Sequence, residues 1–239
     1  MIDPYAKLAG VYDEIVVDPC HPVWAQFLDR LWAGDAVHRV LDLCCGSGLM
    51  AAELRKRNLE VVGVDASAAM LERARTLLGP EVTLVEAFLP ELPVTGPFDA
   101  VVSTLDGLSY LSPTDFGASM RAIAGILRPG GWLVFDLHGE AMLDFAEHHA
   151  VITGTEHGED FTLTTTVDRA VRTCTTTIQV HGSDHAFSEQ HVQFIHANDD
   201  VRAALDAAGF EAIVVTDEYT DTPATAATLR ATWVARRTP

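Results

Sequence analysis

From Arg39 onward the chain alternates short apolar runs with stretches whose apolar residues recur at helical spacing. VLDL at 40–43 reads as a first strand. A helix over about 49–57 follows, with Arg55, Lys56 and Arg57 in its last turn, where cations suit the helix dipole. LEVVGVD (59–65) reads as a second strand. Ser67 then caps a helix whose Met70, Leu71, Ala74 and Leu78 share a face, with Gly79 as its stop. VTLVEAF (82–88) and FDAVVST (98–104) give a third and a fourth strand. A helix over about 115–127 runs into Pro129-Gly130-Gly131, a turn signal, and WLVFDLH (132–138) gives the fifth strand. Strands spaced by helices of this length predict a parallel sheet covered on both faces.

The rhythm changes after residue 140. TLTTTVDRAV, TCTTTIQVHG and SEQHVQFIH are Thr-rich and β-branched with turn signals between them, which predicts antiparallel strands inserted over about 141–197. The core pattern returns with a helix over about 200–208, the strand EAIVV (211–215) and a last strand near LRATWVAR (229–236). Residues 1–37 read as a helical lead-in, so one domain spans 1–239, its core built from 38–140 and 198–239.

Composition narrows the class of partner. A formal charge of −18 repels phosphate backbones and anionic lipid, so nucleic acid and membrane surfaces are disfavoured and a small-molecule substrate is expected. No apolar run approaches the length of a membrane span, and the N-terminal MIDPYAKLAG lacks the basic start and apolar block of a signal peptide, which predicts a cytoplasmic protein. Cys20, Cys44, Cys45 and Cys174 contain no C-x-x-C pair, and read as free thiols. The inserted strands offer edges through which a homodimer could pair.

The stretch GSGLMA (46–51) fits the G-x-G-x-x-A pattern, in which bare backbone after a first strand lets a nucleotide approach. Asp65, at the end of the second strand, is placed to accept from ribose hydroxyls. Both features suit an NAD-type dinucleotide and S-adenosylmethionine alike. Asp42 separates them: a carboxylate just ahead of the turn repels a pyrophosphate but attracts an ammonium and a nearby sulfonium.

Taken together, VLDLCCGSG, VVGVDASAAML, FDAVVSTLDGLSYL and LRPGGWLVFDLH resemble the class I S-adenosylmethionine-dependent methyltransferases, in that family's order and spacing. YAKLAGVYDEIVVD also resembles the opening of bacterial members that act on small molecules, in which this segment closes over the cofactor. The resemblance implies an α/β fold: a Rossmann-like, mostly parallel seven-stranded sheet with an antiparallel last strand, a helical N-terminal lid and the antiparallel β insertion. It implies methyl transfer to a small-molecule acceptor, through an O or N nucleophile before a C one, with S-adenosylhomocysteine as product. A NAD-dependent oxidoreductase and a non-methylating protein with the same cofactor fold are the alternatives.

Carried onto this chain, the resemblance implies that Asp42, Gly46 and Gly48 surround the methionine end of the cofactor, that Asp65 holds the ribose, and that Ala66 and Met70 flank the adenine. Leu105, in the third motif, and Tyr12, in the lid, join them. Cys44 stands where the family has its first loop glycine. Phe88 stands where an aspartate commonly accepts from the adenine amino group, so recognition there passes to backbone groups near Ala87 and Phe88.

A protic nucleophile needs a proton acceptor within reach. Ligands in open α/β sheets sit at the carboxyl ends of strands, where STLDGLSY and DLHG place Asp106 and His138. His138 is the first candidate for general base, with capping of its strand end as the plainer reading. Asp106 reads as a turn cap or a substrate contact, and Tyr12 as a pocket residue or core. Trp24 shares a helical stripe with Phe27, Leu28 and Leu31, which favours packing. His181, His185, His191 and His196 cluster on the inserted strands, but no ligand motif accompanies them and no metal is assigned.

Overall fold

The computed structural model describes residues 5–12, 20–156, 158–181 and 186–239. His185 and residues 13–19 of the lead-in lie outside this set. The first five strands are β1 (Arg39–Leu43), β2 (Glu60–Asp65), β3 (Thr83–Glu86), β4 (Phe98–Ser103) and β5 (Leu127–His138). The Thr-rich segment supplies β6 (Val151–Glu156), β7 (Glu159–Asp168), β8 (Thr173–Val180) and β9 (Phe187–Phe194), and the chain closes with β10 (Phe210–Asp217) and β11 (Arg230–Arg237). The main sheet has the order β10-β11-β5-β4-β1-β2-β3, with β11 antiparallel to both neighbours and the other pairings parallel. A mostly parallel seven-stranded sheet with an antiparallel last strand is what the apolar runs and the resemblance predict.

Among the described residues six α-helices cover the sheet or join its parts: α1 (His21–Leu31), α2 (Leu49–Arg55), α3 (Ala68–Leu78), α4 (Pro113–Ile126), α5 (Ala141–His148) and α6 (Asn198–Ala207). Ser67 caps α3 by accepting from the Met70 N–H at 3.2 Å, and Ser112 caps α4 by accepting from Asp115 N–H at 3.2 Å. Strand residues alternate between two cores, as a period of two requires. Leu41, Val101, Leu133 and Phe135 meet Phe116, Met120 and Ile123 of α4. Val40, Ala100, Val102 and Val134 meet Trp24 and Leu28 of α1 with Met50 and Leu54 of α2.

Local departures from the sequence pattern have physical causes. Pro129-Gly130-Gly131 does not break the chain away from the sheet. β5 runs through it with a bulge, its partners on β4 shifting from Phe98↔Leu127 to Ala100↔Trp132, and Gly130 supplies the left-handed φ of 69°. α1 belongs to the core: Trp24 is 2% exposed and stacks on Tyr219 at 4.4 Å between centroids, so packing explains it. α5 follows β5 directly, so the stretch expected to be antiparallel strands from about 141 opens with a helix instead.

The inserted strands form a separate antiparallel sheet, β6-β7-β8-β9. One patch of it, with Val180, Phe161, Ile178 and Phe187, packs on Leu8 and Val11 of a single 3₁₀ turn (Leu8–Val11). Along β9, Phe187, Glu189, His191 and Gln193 share one face while Ser188, Gln190 and Val192 are exposed.

Candidate active site

The carboxyl ends of β1, β2 and β4 meet at a cavity of about 350 Å³. After β1 the backbone turns sharply through three left-handed residues, Cys44 (φ 57°), Gly46 (φ 53°) and Gly48 (φ 87°). Asp65, at the end of β2, ties this loop to the next: its Oδ2 accepts from the Gly46 N–H and its Oδ1 from the Ser67 N–H, both at 2.8 Å. The same carboxylate lines the cavity, and a carboxylate can accept several hydrogen bonds.

Most of the residues singled out in the sequence line this cavity. Cys44, Gly46, Asp65, Ala66 and Met70 do so from the loops after β1 and β2. Ala87 and Phe88 do so after β3, Leu105 after β4, and Tyr12 from the N-terminal segment. A Cβ built on Gly46 would meet only the end of Met70, at 3.9 Å, so the loop presents bare backbone to the cavity. Burial raises the Cys44 and Cys45 thiols well above their ordinary value, which keeps both protonated and inert.

Four expected site residues stand elsewhere. Asp42 is 0% exposed and absent from the cavity wall, so it does not touch a ligand there. Gly48 faces away as well: a Cβ on it would meet Leu78 Cδ1 at 2.9 Å and Ala74 Cβ at 3.1 Å, so it permits α2 and α3 to approach. His138 and Asp106 pair with each other instead of facing the cavity, His138 Nε2 lying 3.1 Å from Asp106 Oδ2. Burial disfavours the charged imidazole, but the Asp106 charge outweighs it and the His138 pKa is raised. Burial likewise pushes Asp106 up, yet His138 and Arg230, whose Nη2 is 3.2 Å away, hold it well below the ordinary carboxylate range. His138 is thus already paired with Asp106 and lies off the cavity wall, so the structure does not set it against an acceptor in this cavity.

The Asp106 backbone has its own support. Leu105 (φ 58°) and Asp106 (φ 50°) are both left-handed, which non-glycine residues rarely adopt. Asp136 on β5 accepts from both amides, Leu105 N–H at 3.0 Å and Asp106 N–H. This holds Leu105 and Gly107 against the cavity; a Cβ on Gly107 would lie 2.5 Å from that of Cys44.

Sequence reading missed the aromatic part of the wall. Tyr5, Tyr110 and His21 line the cavity beside Tyr12. Tyr5 and Tyr110 share a hydrogen bond of 2.6 Å, and the Tyr5 and Tyr12 rings meet edge-on at 5.5 Å. Tyr110 lies inside the quoted motif FDAVVSTLDGLSYL and Tyr5 opens YAKLAG, so both stood in plain view without a spacing to mark them. The described histidines of the insertion do not converge. His181 is exposed beside Thr162, His191 faces Tyr110, and His196 packs on Phe116. Among the described residues no three His, Cys, Asp or Glu side chains gather at metal-binding distance.

Known proteins share this fold. A family model described as a methyltransferase domain matches residues 40–131. A protein of Geobacillus sp. (strain WCH70), whose name places it among methyltransferases without stating an acceptor, is 26% identical over 98% of this chain and 99% of its own length. The crystal structure of an S-adenosylmethionine-dependent methyltransferase from Clostridium acetobutylicum superposes with a TM-score of 0.85 at 20% identity, covering 98% of this chain and 99% of that one. The S-adenosylmethionine-bound structure of CalS10, an amino pentose methyltransferase from Micromonospora echinaspora, superposes with a TM-score of 0.75 at 23% identity over both full chains. No helix among the described residues is long and apolar enough to cross a membrane. The family model, the relative and the solved structures that this chain resembles are all those of methyltransferases, and they share its sheet order and its glycine loop at the end of β1.

Proposed function

We propose that the enzyme methylates a small molecule through a protic N or O nucleophile bound between the glycine loop and the tyrosine wall. The observation that carries this reading is the make-up of one cavity: Asp65, Ala66, Met70, Ala87 and Phe88 form a nucleoside-like half, and Tyr5, Tyr12 and Tyr110 supply hydroxyls with no counterpart needed for the cofactor. S-adenosylmethionine, when bound, supplies an electrophilic methyl group on a sulfonium. In this assignment Asp65 accepts from the ribose hydroxyls, Met70 and Ala66 flank the base, and Leu105 and Cys44 close the wall. Catalysis then rests on holding the nucleophile about 3 Å from the methyl carbon, in line with the breaking bond.

Residues 5–12 and the β6–β9 sheet act as the cover on the acceptor side. Their contact through Leu8, Val11 and Val180 keeps water from the reacting atoms. The negative surface favours neutral or cationic acceptors over anionic ones. CalS10, an amino pentose methyltransferase, shares the fold, which makes an amino sugar a first probe.

The test is transfer of label from methyl-labelled S-adenosylmethionine to glucosamine and to catechol, as amine and hydroxyl probes, with thermal shifts against S-adenosylhomocysteine and NAD. Labelled product and stabilisation by S-adenosylhomocysteine are expected; stabilisation by NAD alone refutes the reading.

A further inference from the structure

Behind the tyrosine wall runs a chain of polar contacts that leads away from the cavity. The Tyr5 hydroxyl meets the Tyr110 hydroxyl at 2.6 Å, and the Tyr110 hydroxyl meets His191 Nδ1 at 3.0 Å. His191 Nε2 then lies 2.9 Å from Glu189 Oε1. His191 is 6% exposed and rests against the Tyr5 ring at 4.7 Å. The other Glu189 oxygen accepts from the backbone N–H groups of Lys7 (2.9 Å) and Leu8 (3.2 Å). Burial pushes the Glu189 carboxyl up, but His191 and these two N–H groups outweigh it and hold it below its ordinary value, so it stands as a fixed carboxylate.

Nε2 approaches the Glu189 carboxylate closely but is not aligned with it as a hydrogen bond. With the imidazole proton on Nε2, beside that carboxylate, the Nδ1 lone pair accepts from the Tyr110 hydroxyl. Tyr110 in turn accepts from Tyr5 and keeps one lone pair. Burial, with the Asp106 charge behind it, raises both phenols, so neither is a resident phenolate and a proton reaching Tyr110 must be handed on at once.

We propose that Tyr110 takes the proton released by the acceptor and that His191, oriented by Glu189, receives it through Tyr110. This rests on the reading above that a protic acceptor occupies the same cavity. The balance is complete: the acceptor lone pair bonds to the methyl carbon as the carbon–sulfur bond breaks, its electron pair remaining on sulfur. The acceptor proton moves to Tyr110 Oη, and Tyr110's own proton moves to His191 Nδ1. Tyr110 ends neutral, and His191 ends as an imidazolium paired with Glu189. Tyr110 is the catalytic residue; His191 and Glu189 act through it.

Titratable or charged groups facing His191 are Glu189 on its own strand, Tyr5 from the N-terminal segment and Tyr110 from the turn after β4. Tyr12 and Asp106 act on those phenols, and Lys7 lies beyond Glu189. The full chain is assayed with labelled S-adenosylmethionine against glucosamine and catechol, beside Tyr110→Phe and His191→Asn, while side-chain ¹⁵N shifts report the His191 tautomer. Expected are a fall in kcat of about 100-fold in Tyr110→Phe and His191→Asn, with S-adenosylmethionine Kd unchanged. The pH profile of kcat should differ between the wild type and His191→Asn, and the ¹⁵N shifts should show an Nε2–H imidazole. Wild-type kcat and pH profile in His191→Asn, or an Nδ1–H tautomer, overturns the relay. Failure of the wild type to label either probe faults the acceptor reading instead, and the tautomer then decides the relay alone.

Discussion

His138 Nε2 lies 3.1 Å from Asp106 Oδ2 in a setting where both side chains are almost wholly buried. The pair therefore works as a brace for the turn after β4. Removing one member of a buried pair leaves the other uncompensated.

His138→Asn should destabilise the fold by about 2 kcal/mol at pH 6, as loss of a charged hydrogen bond does, lowering Tm by roughly 4–8 °C. The sign follows from the two shifts. Asp106 is lowered, so its contribution is present above the unfolded carboxylate range and is lost only in acid. His138 is raised, so its contribution is complete below the unfolded histidine value and fades as pH rises through the raised one. Melts at pH 6 and pH 9 should show the larger loss at pH 6; equal losses would show that the pair is not ionic.

The two glycines of the loop should separate by phenotype. At Gly48 a methyl group meets Leu78 and Ala74 inside van der Waals distance on a left-handed backbone, so Gly48→Ala should lower stability by about 2–3 kcal/mol. At Gly46 the space is open toward the cavity, so Gly46→Ala should spare much of that and instead weaken S-adenosylmethionine binding. Denaturant unfolding and calorimetric titration of both variants check this. The reverse pattern would place Gly48, not Gly46, at the ligand.

Strand periodicity, caps and the glycine loop made the main sheet legible, because each follows from local spacing. Asp65, Met70 and Phe88 were legible for the same reason: they follow strand ends. The setting of His138 was not legible, because its partner Asp106 is itself held by Arg230 and by Gln193, both distant in sequence and the latter on the inserted sheet. Tyr110 was missed, and His191 was read only as one of a histidine cluster, because the two meet only through tertiary packing. One local sign existed: on β9 the inward face carries Glu189, His191 and Gln193 while Val192 points out, the inverse of a simple half-buried strand.

Asp65→Ala should weaken S-adenosylmethionine binding by about 1–3 kcal/mol, the range for losing a charged acceptor. It should also lower stability, since the Gly46 and Ser67 amides lose their partner. Asp65→Asn keeps one acceptor oxygen and should fall between. Calorimetric titration decides; an unchanged Kd in Asp65→Ala would remove the ribose assignment.

Asp42 lies two residues before Cys44, and both its carboxyl oxygens are buried without a completed hydrogen bond. Burial raises its pKa to about 8, the nearby Ala51 N–H offsetting part of the effect and the Asp65 charge adding to it. The folded protein thus binds a proton there at pH 7 that the unfolded chain does not, so stability conferred by protonation is lost as pH rises through about 8. Asp42→Asn should remove that decline and leave the protein at least as stable at pH 9. The same group should couple to the cofactor. A sulfonium brought into the adjacent cavity favours the carboxylate, so binding of S-adenosylmethionine at pH 7 should release up to about one proton per site. S-adenosylhomocysteine, which lacks the sulfonium charge, should release less, and Asp42→Asn should release none with either. Titration calorimetry in phosphate and in Tris measures the release from the difference in heats. Buffer-independent heats for the wild type would show that Asp42 does not sense the cofactor, and its place behind the loop would then be structural alone.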